Sequence, residues 1–277
     1  MESLTRIKPI LGTYVSIAVA AVASREELIK VTEAAYREIY RIHELMSFQE
    51  IDSEITKINL NAFKNPIKIS KDTYLVVKTA LDMSKSTNGV FDISCGGAMV
   101  LQKKLPDHGF VIDKKSKWDD IQLNFGEIFF NKPLAIDVSG LAKGYAVDQA
   151  YKRIVSMLSG QTEQTEICIN AGGDLKQTPW QNKKINIKEL GKPGDTEAYV
   201  KMRDSSVATS SGAHGSFIIK NGKNICNKNR SVSVFAPSCM IADALTKVLY
   251  ANPRALPEDK TYTSCVVIEN GKSQWLE

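Results

Sequence analysis

The sequence predicts an α+β protein built on largely antiparallel sheets, and three observations carry that reading. Strand-like and helix-like segments follow one another without the regular βαβ alternation of a parallel sheet. Tight-turn signals, Asn131-Lys132-Pro133 and Asn270-Gly271 among them, join short β-forming runs into hairpins. Between them lie a few long segments whose apolar residues recur at helical spacing. A chain of 277 residues, 43% hydrophobic and 24% charged, can bury a substantial core. Residues 1–277 are read as a single domain.

In chain order, residues 11–22 (LGTYVSIAVAAV) read as a first strand. Ser24 caps the helix that follows, whose Leu28, Val31, Ala34, Ala35, Ile39, Ile42 and Leu45 form one apolar stripe. Asp52-Ser53 opens a short helix to residue 58. A second amphipathic helix starts at Ser70 and stops at Asn88-Gly89, with Tyr74, Val77, Ala80, Leu81 and Met83 facing inward. Residues 102–118 are polar and read as a loop. Residues 121–130 and 134–138 read as a strand pair, followed by a helix to about residue 158. The remainder reads as strands at ICINA, KKINIKEL, AYVKMR, SSVATSS and SVSVFA, a Ser238-capped helix over MIADALTKVLYA and a terminal hairpin.

Composition excludes several function classes. The net charge of +5 is mild, and the lysines are scattered with no interleaved aromatic stripe, so nucleic acid is not an expected partner. Five widely spaced cysteines without a CxxC pair, and three histidines without ligand spacing, argue against a disulfide framework or a zinc site. The apolar run at 15–22 is too short to span a membrane, and it lacks the basic lead of a signal peptide. The chain is read as cytoplasmic, or as a mature piece whose export signal has been removed.

The most informative stretch is residues 135–150, AIDVSGLAKGYAVDQA. It passes from a short apolar strand through Ser139-Gly140 into a helix. Ser139 is the expected N-cap, and Gly140 lets backbone approach a ligand closely. Helix starts present free N–H groups and a positive dipole end, which suit an anion such as a pyrophosphate. Asp137 and Lys143 flank the corner, one accepting hydrogen bonds and the other neutralising phosphate. An ordinary strand-to-helix turn is the alternative on this stretch alone.

Two further Gly/Ser/Thr-rich turns, NAGGDL and VATSSGAHG, and two acid-bearing segments, VFDIS and IADALTK, stand out beside DVSGLAKG. In their order the chain resembles the FAD:protein FMN transferases of the ApbE type. The resemblance runs through LGTYVSIAV, MSFQEIDSEITKIN, GVFDIS, IDVSGLAKGYAVD, INAGGDL, VATSSG and SVSVFAPSCMIADAL, nearly the whole chain. It implies a T-fold-related α+β fold with a flavin site between its parts. FAD would be the substrate, with a magnesium ion at its pyrophosphate. FMN would pass to a Thr or Ser hydroxyl of an acceptor protein, and AMP would leave. By resemblance Leu11, Phe48, Gln49, Val90, Phe91, Asp92, Asp137, Lys143 and Ile225 would contact FAD. The Gly140 carbonyl, the Asp243 carboxylate and Thr246 would hold magnesium. Asp243 would also take part in catalysis.

The chain also departs from the family pattern. Leu11 stands where the family has Met, a shape-conserving change. Gln49 stands at the place of a flavin-facing aromatic, with Phe48 beside it. Asn224 stands at the place of the family His, and Asn is no general base. His214, in the neighbouring turn, is the candidate to serve instead. Lys247 stands where the last metal ligand, a Thr or Ser, is expected, with Thr246 one residue away. A lysine there could occupy the magnesium position as a fixed positive charge. Two activities follow from this pattern: a divergent flavin transferase, or an FAD-binding relative without transfer chemistry, including a slow FAD pyrophosphatase.

Overall fold

The computed structural model describes residues 1–159, 164–188, 197–212, 219–220, 223–256 and 261–276. The chain opens with a hairpin, β1 (Glu2–Ile10) and β2 (Thr13–Ala21), followed by α1 (Arg25–Met46) and α2 (Glu54–Asn61). Next come β3 (Ile67–Lys68), α3 (Lys71–Ser86), α4 (Gly96–Leu101), β4 (Ile121–Asn124) and β5 (Glu127–Phe130). The central helix α5 (Ser139–Met157) leads into β6 (Glu166–Ala171), β7 (Asp174–Thr178), β8 (Lys184–Lys188), β9 (Glu197–Lys201) and β10 (Ser206–Ser211). Two short strands, β11 (Ile219–Lys220) and β12 (Lys223–Asn224), precede β13 (Arg230–Ala236) and α6 (Cys239–Ala251). The hairpin β14 (Ser264–Glu269) and β15 (Lys272–Leu276) follows.

Eight strands form one sheet in the order β1-β2-β6-β7-β10-β13-β14-β15, and every pairing in it is antiparallel. Alternation along each strand gives the sheet two apolar faces. Val15, Ile17, Ala208, Val232, Val234 and Cys265 point into the main core, which α1, α5 and α6 cover. Val207, Phe235, Val266 and Ile268 point the other way, under the β8–β9 hairpin and Trp275. A three-stranded sheet, β3-β5-β4, lies with α2 and α3 beside the helical layer.

The helix stops and starts follow local chemistry. Ser24 accepts from the Glu27 N–H while the Glu27 carboxylate accepts from the Ser24 N–H, a reciprocal cap. Ser53, Ser70 and Ser238 cap α2, α3 and α6. The expected stripe of α1 is buried except Leu45, which is partly exposed, and Tyr36 joins it. In α3 the inner face is Val76, Val77, Ala80 and Met83, with Tyr74 and Leu81 at its margin.

Three expectations from the sequence need correction. The first strand is β1, not residues 11–22, which begin in the turn at Leu11-Gly12 and continue as β2. The mixed composition of β1 hides it: its residues alternate half-buried and exposed, so no apolar run marks it. The partner of β5 is β4, around a turn at Phe125-Gly126, rather than residues 134–138. Residues 134–138 form no strand, although they are deeply buried. Their backbone is instead held piecemeal: the Asn59 amide donates to the Ile136 carbonyl at 3.0 Å and accepts from the Ile136 N–H at 2.8 Å, the Gly97 N–H donates to the Ala135 carbonyl at 3.2 Å, and the Asp137 N–H donates to the Ile93 carbonyl at 2.8 Å. That satisfies the buried polar groups a strand neighbour would otherwise pair. The third correction concerns Ser139, described below.

Candidate functional site

The site is built around the start of α5. Val138, not Ser139, occupies the N-cap position, and Ser139 is already helical. The capping is done by Asp137. Its Oδ1 accepts from the Ser139 N–H at 3.0 Å and its Oδ2 from the Ser139 hydroxyl at 2.7 Å. Burial pushes the Asp137 carboxyl up from its ordinary range, while the two Ser139 hydrogen bonds and the charges of Lys143 and Lys247 pull it back. The corner is therefore a fixed carboxylate directly beside a positive helix end.

Helix α6 crosses α5 at a glycine. A Cβ on Gly144 would stand 2.4 Å from the Cys239 carbonyl oxygen, so only glycine permits this approach. Asp148, one turn further along α5, accepts from the Ser238 hydroxyl at 2.8 Å and from the Cys239 and Met240 N–H groups at 3.1 Å each. This carboxylate from one helix thus caps the next, with Lys176 Nζ 3.3 Å away. The docking sets Asp243 against the first turns of α5, where its Oδ2 accepts from the Gly144 N–H at 3.4 Å.

The third wall comes from the β6–β7 turn. Gly172 and Gly173 have φ of +64° and +104°, a left-handed pair that suits glycine. The turn delivers Asp174 into the same space, fully buried. Lys143 Nζ lies 3.3 Å from Asp174 Oδ2 and 3.7 Å from Asp243 Oδ2. Lys247, four residues after Asp243 on α6, contacts Asp243 Oδ1 and donates to the Asp243 carbonyl at 3.0 Å. Burial pushes the Lys247 ammonium down, to about 7, and the nearby Lys143 charge adds to that. An anion entering the cavity would favour its charged form again.

Asp137, Lys143, Gly172, Asp174 and Lys247 line a cavity of about 310 Å³, together with Val90, Phe91, Asp92, Ser139, Gly140, Thr209 and Ser210. A neighbouring cavity of about 800 Å³ shares Val90, Asp92 and Cys95 with it and extends past Lys114, Lys117 and Trp118. The two give an elongated cleft with charged residues along both parts. Asp92 caps the short turn after it, accepting from the Ser94 N–H at 2.7 Å, and burial raises its carboxyl.

Of the residues singled out in the sequence, the structure brings Val90, Phe91, Asp92, Asp137, Gly140 and Lys143 to this cavity. Asp243 meets it through Lys143 and Lys247. Others lie elsewhere. Phe48 is buried against Phe110, edge to face with centroids 5.3 Å apart, and its carbonyl lies 3.1 Å from His108 Nε2. Gln49 is exposed. Leu11 sits in the β1–β2 turn with φ +59°, and Ile225 packs half-buried on the core. None of these four lines either cavity. The Thr246 hydroxyl is buried, donating to the Asp243 carbonyl at 2.7 Å and lying 2.6 Å from Ser210 Oγ. His214 lies outside the described residues, and Asn224 is placed only as part of β12. Asp174 is the residue that sequence reasoning missed; its signal was an acid directly after two glycines.

Fold and site together define an α+β protein with a charged cleft between one large antiparallel sheet and the helices that cover it. Solved structures share that fold along their whole length. The flavin transferase ApbE from Vibrio cholerae superposes with a TM-score of 0.81 at 21% identity, over 99% of this chain and 96% of that one. The ApbE protein from Thermotoga maritima gives a TM-score of 0.78 at 21% identity, over 100% and 97%. Among sequences, an FAD:protein FMN transferase of Haemophilus influenzae is 29% identical over 248 residues, 78% of this chain and 69% of that protein. One from Treponema pallidum is 21% identical over 290 aligned positions, 90% of this chain and 79% of that protein. The sequence model of the ApbE family matches residues 11–258, and the chain belongs to that family.

Proposed function

We propose that this protein is an FAD:protein FMN transferase: it moves FMN from FAD to a Thr or Ser hydroxyl of an acceptor protein and releases AMP. Family membership over residues 11–258, joined to a cleft with the helix start and Lys143 in its wall, is the observation that carries the reading. Relatives named for this activity align with between 76% and 90% of this chain.

In this reading the FAD diphosphate lies against the start of α5. Lys143 and the helix end neutralise it, and Asp137 keeps the corner rigid. The acceptor hydroxyl oxygen forms a bond to the FMN-side phosphorus as the bridging P–O bond to AMP breaks. The hydroxyl proton ends on the AMP phosphate. Phosphoryl transfer of this kind passes through a loose transition state, so positioning and charge carry most of the catalysis. A flavin ring fits the apolar wall made by Val90 and Phe91, with the larger cavity open to the rest of the dinucleotide.

Magnesium would supply charge neutralisation at the diphosphate when bound. The residues expected to hold it are not arranged for it. Asp243 Oδ1 is engaged by the Lys247 ammonium, and the Thr246 hydroxyl is committed to Asp243 and Ser210. No step above is therefore assigned to the metal.

The test is incubation with FAD and a protein that carries FMN on Thr in its native form, made without its flavin. A mass gain equal to one FMN on that protein, with AMP released in equal amount, is expected. FMN and AMP appearing free, with no adduct, would replace transfer by pyrophosphatase activity.

A further inference from the structure

We propose that the Lys247 ammonium takes the place of a divalent cation, so that this protein binds the diphosphate of FAD without metal. The inference rests on the transferase reading only for the identity of the ligand.

Three observations carry it. First, Lys247 Nζ contacts Asp243 Oδ1 and donates to the Asp243 carbonyl at 3.0 Å, so it takes up two oxygens that a hard cation would need. Position 247 is one helical turn beyond 243, which puts both side chains on the same face of α6. Second, Thr246 offers no replacement ligand. Its hydroxyl is buried between the Asp243 carbonyl and Ser210 Oγ. Magnesium demands near-octahedral oxygen coordination at about 2.0–2.1 Å and gives up its waters reluctantly. Third, the charge is in the right place for a diphosphate. Lys247 Cε lies 3.9 Å from where a Gly140 Cβ would stand, so the ammonium arm reaches over the start of α5. Lys143 Nζ comes from the other side, between Asp174 and Asp243. Both ammonium groups belong to the wall of the one cavity.

A divalent ion entering here would have to break the Lys247–Asp243 pair and then sit beside two ammonium groups. Both costs oppose it, since like charges a few ångströms apart in a half-buried site repel strongly. With the anion bound, the ammonium gives up one unit of charge relative to magnesium. In return the site is ready for an anion with no metal present.

The experiment is a titration of the purified protein with FAD, read by flavin fluorescence, in EDTA and in millimolar magnesium. The wild-type Kd is expected to agree within about twofold between the two conditions. Lys247→Thr, which removes the ammonium and adds a hydroxyl, should bind FAD at least tenfold more weakly in EDTA and recover affinity with magnesium. Thermal melts of the variant establish that it is folded. A wild-type affinity that rises tenfold or more with magnesium would overturn the inference and leave the transferase reading standing. So would a folded Lys247→Thr protein that binds FAD in EDTA as tightly as wild type. No FAD binding by the wild type in either condition would overturn the transferase reading as well.

Discussion

Two aspartates, Asp137 just before α5 and Asp148 within it, do similar local work with different reach. Asp137 caps its own helix through Ser139, two residues away, whereas Asp148 caps α6 across 90 residues of sequence. Both are buried carboxylates whose hydrogen bonds satisfy otherwise orphaned helix-start N–H groups. Removing Asp148 leaves the Cys239 and Met240 N–H groups without their acceptor and Lys176 without its ion-pair partner. Asp148→Ala is expected to cost about 3 kcal/mol, in the range for breaking a buried charged network. Denaturant unfolding checks this. The same variant should weaken FAD binding, since α6 carries Asp243 and Lys247; unchanged affinity would show that the cap does not position the site. Asp137 was legible in the sequence as a corner residue, but its capping role was not. A Ser at a helix start is the commoner cap, and only the backbone geometry shows that Ser139 is one position too late.

At the scale of elements, the site depends on how closely α5 and α6 approach. Gly144 faces the Cys239 backbone, and that contact is backbone against backbone, so no side chain can yield. Gly144→Ala is expected to push α6 outward, to destabilise the protein by about 1–3 kcal/mol and to lower FAD affinity. A denaturant midpoint and a flavin titration measure the two effects. A polar pin joins α5 to two other helices. Asp72 on α3 accepts from Arg41 of α1 at 2.7 Å and from the Tyr145 hydroxyl of α5 at 2.6 Å. Burial alone would raise its carboxyl, but the Arg41 and Tyr145 hydrogen bonds outweigh it and hold the pKa below the ordinary value. A carboxylate depressed by folding stabilises the native state above its unfolded pKa, and the contribution is lost as pH falls through the folded pKa. Wild type should therefore exceed Asp72→Asn by about 1 kcal/mol at neutral pH, a modest figure because Arg41 is half-exposed. The gap should close below the carboxylate range, which unfolding curves at several pH values would reveal.

For the whole molecule, the decisive feature is a sheet with two apolar faces and the cleft on only one of them. Phe235 alternates with Val234 and Ala236 along β13, and it points to the β8–β9 side, stacked on Trp275 with centroids 6.2 Å apart. Phe235→Ala should cost about 3–5 kcal/mol, as large-to-small changes in a filled core do. FAD affinity measured well below the melting temperature should nevertheless stay at the wild-type value. Loss of affinity would mean that the two faces are coupled through the sheet. Among the described residues, no helix is long and apolar enough to cross a membrane.

The sequence by itself determined the class of fold, the helices with their serine caps and the terminal hairpin, because these depend on periodicity and on residues within one turn of each other. It also marked the 135–150 corner and, through the order of its motifs, the family. Tertiary structure alone decided what meets there. That Asp174 and Asp243, 69 positions apart, share Lys143 follows from the β6–β7 turn and the α5–α6 crossing, which no local pattern encodes. The same holds for residues 134–138, which look like a strand but are held by the Asn59 side chain and by main-chain bonds to Gly97 and Ile93. Local chemistry chooses the elements, whereas long-range packing chooses which charges are left facing one another.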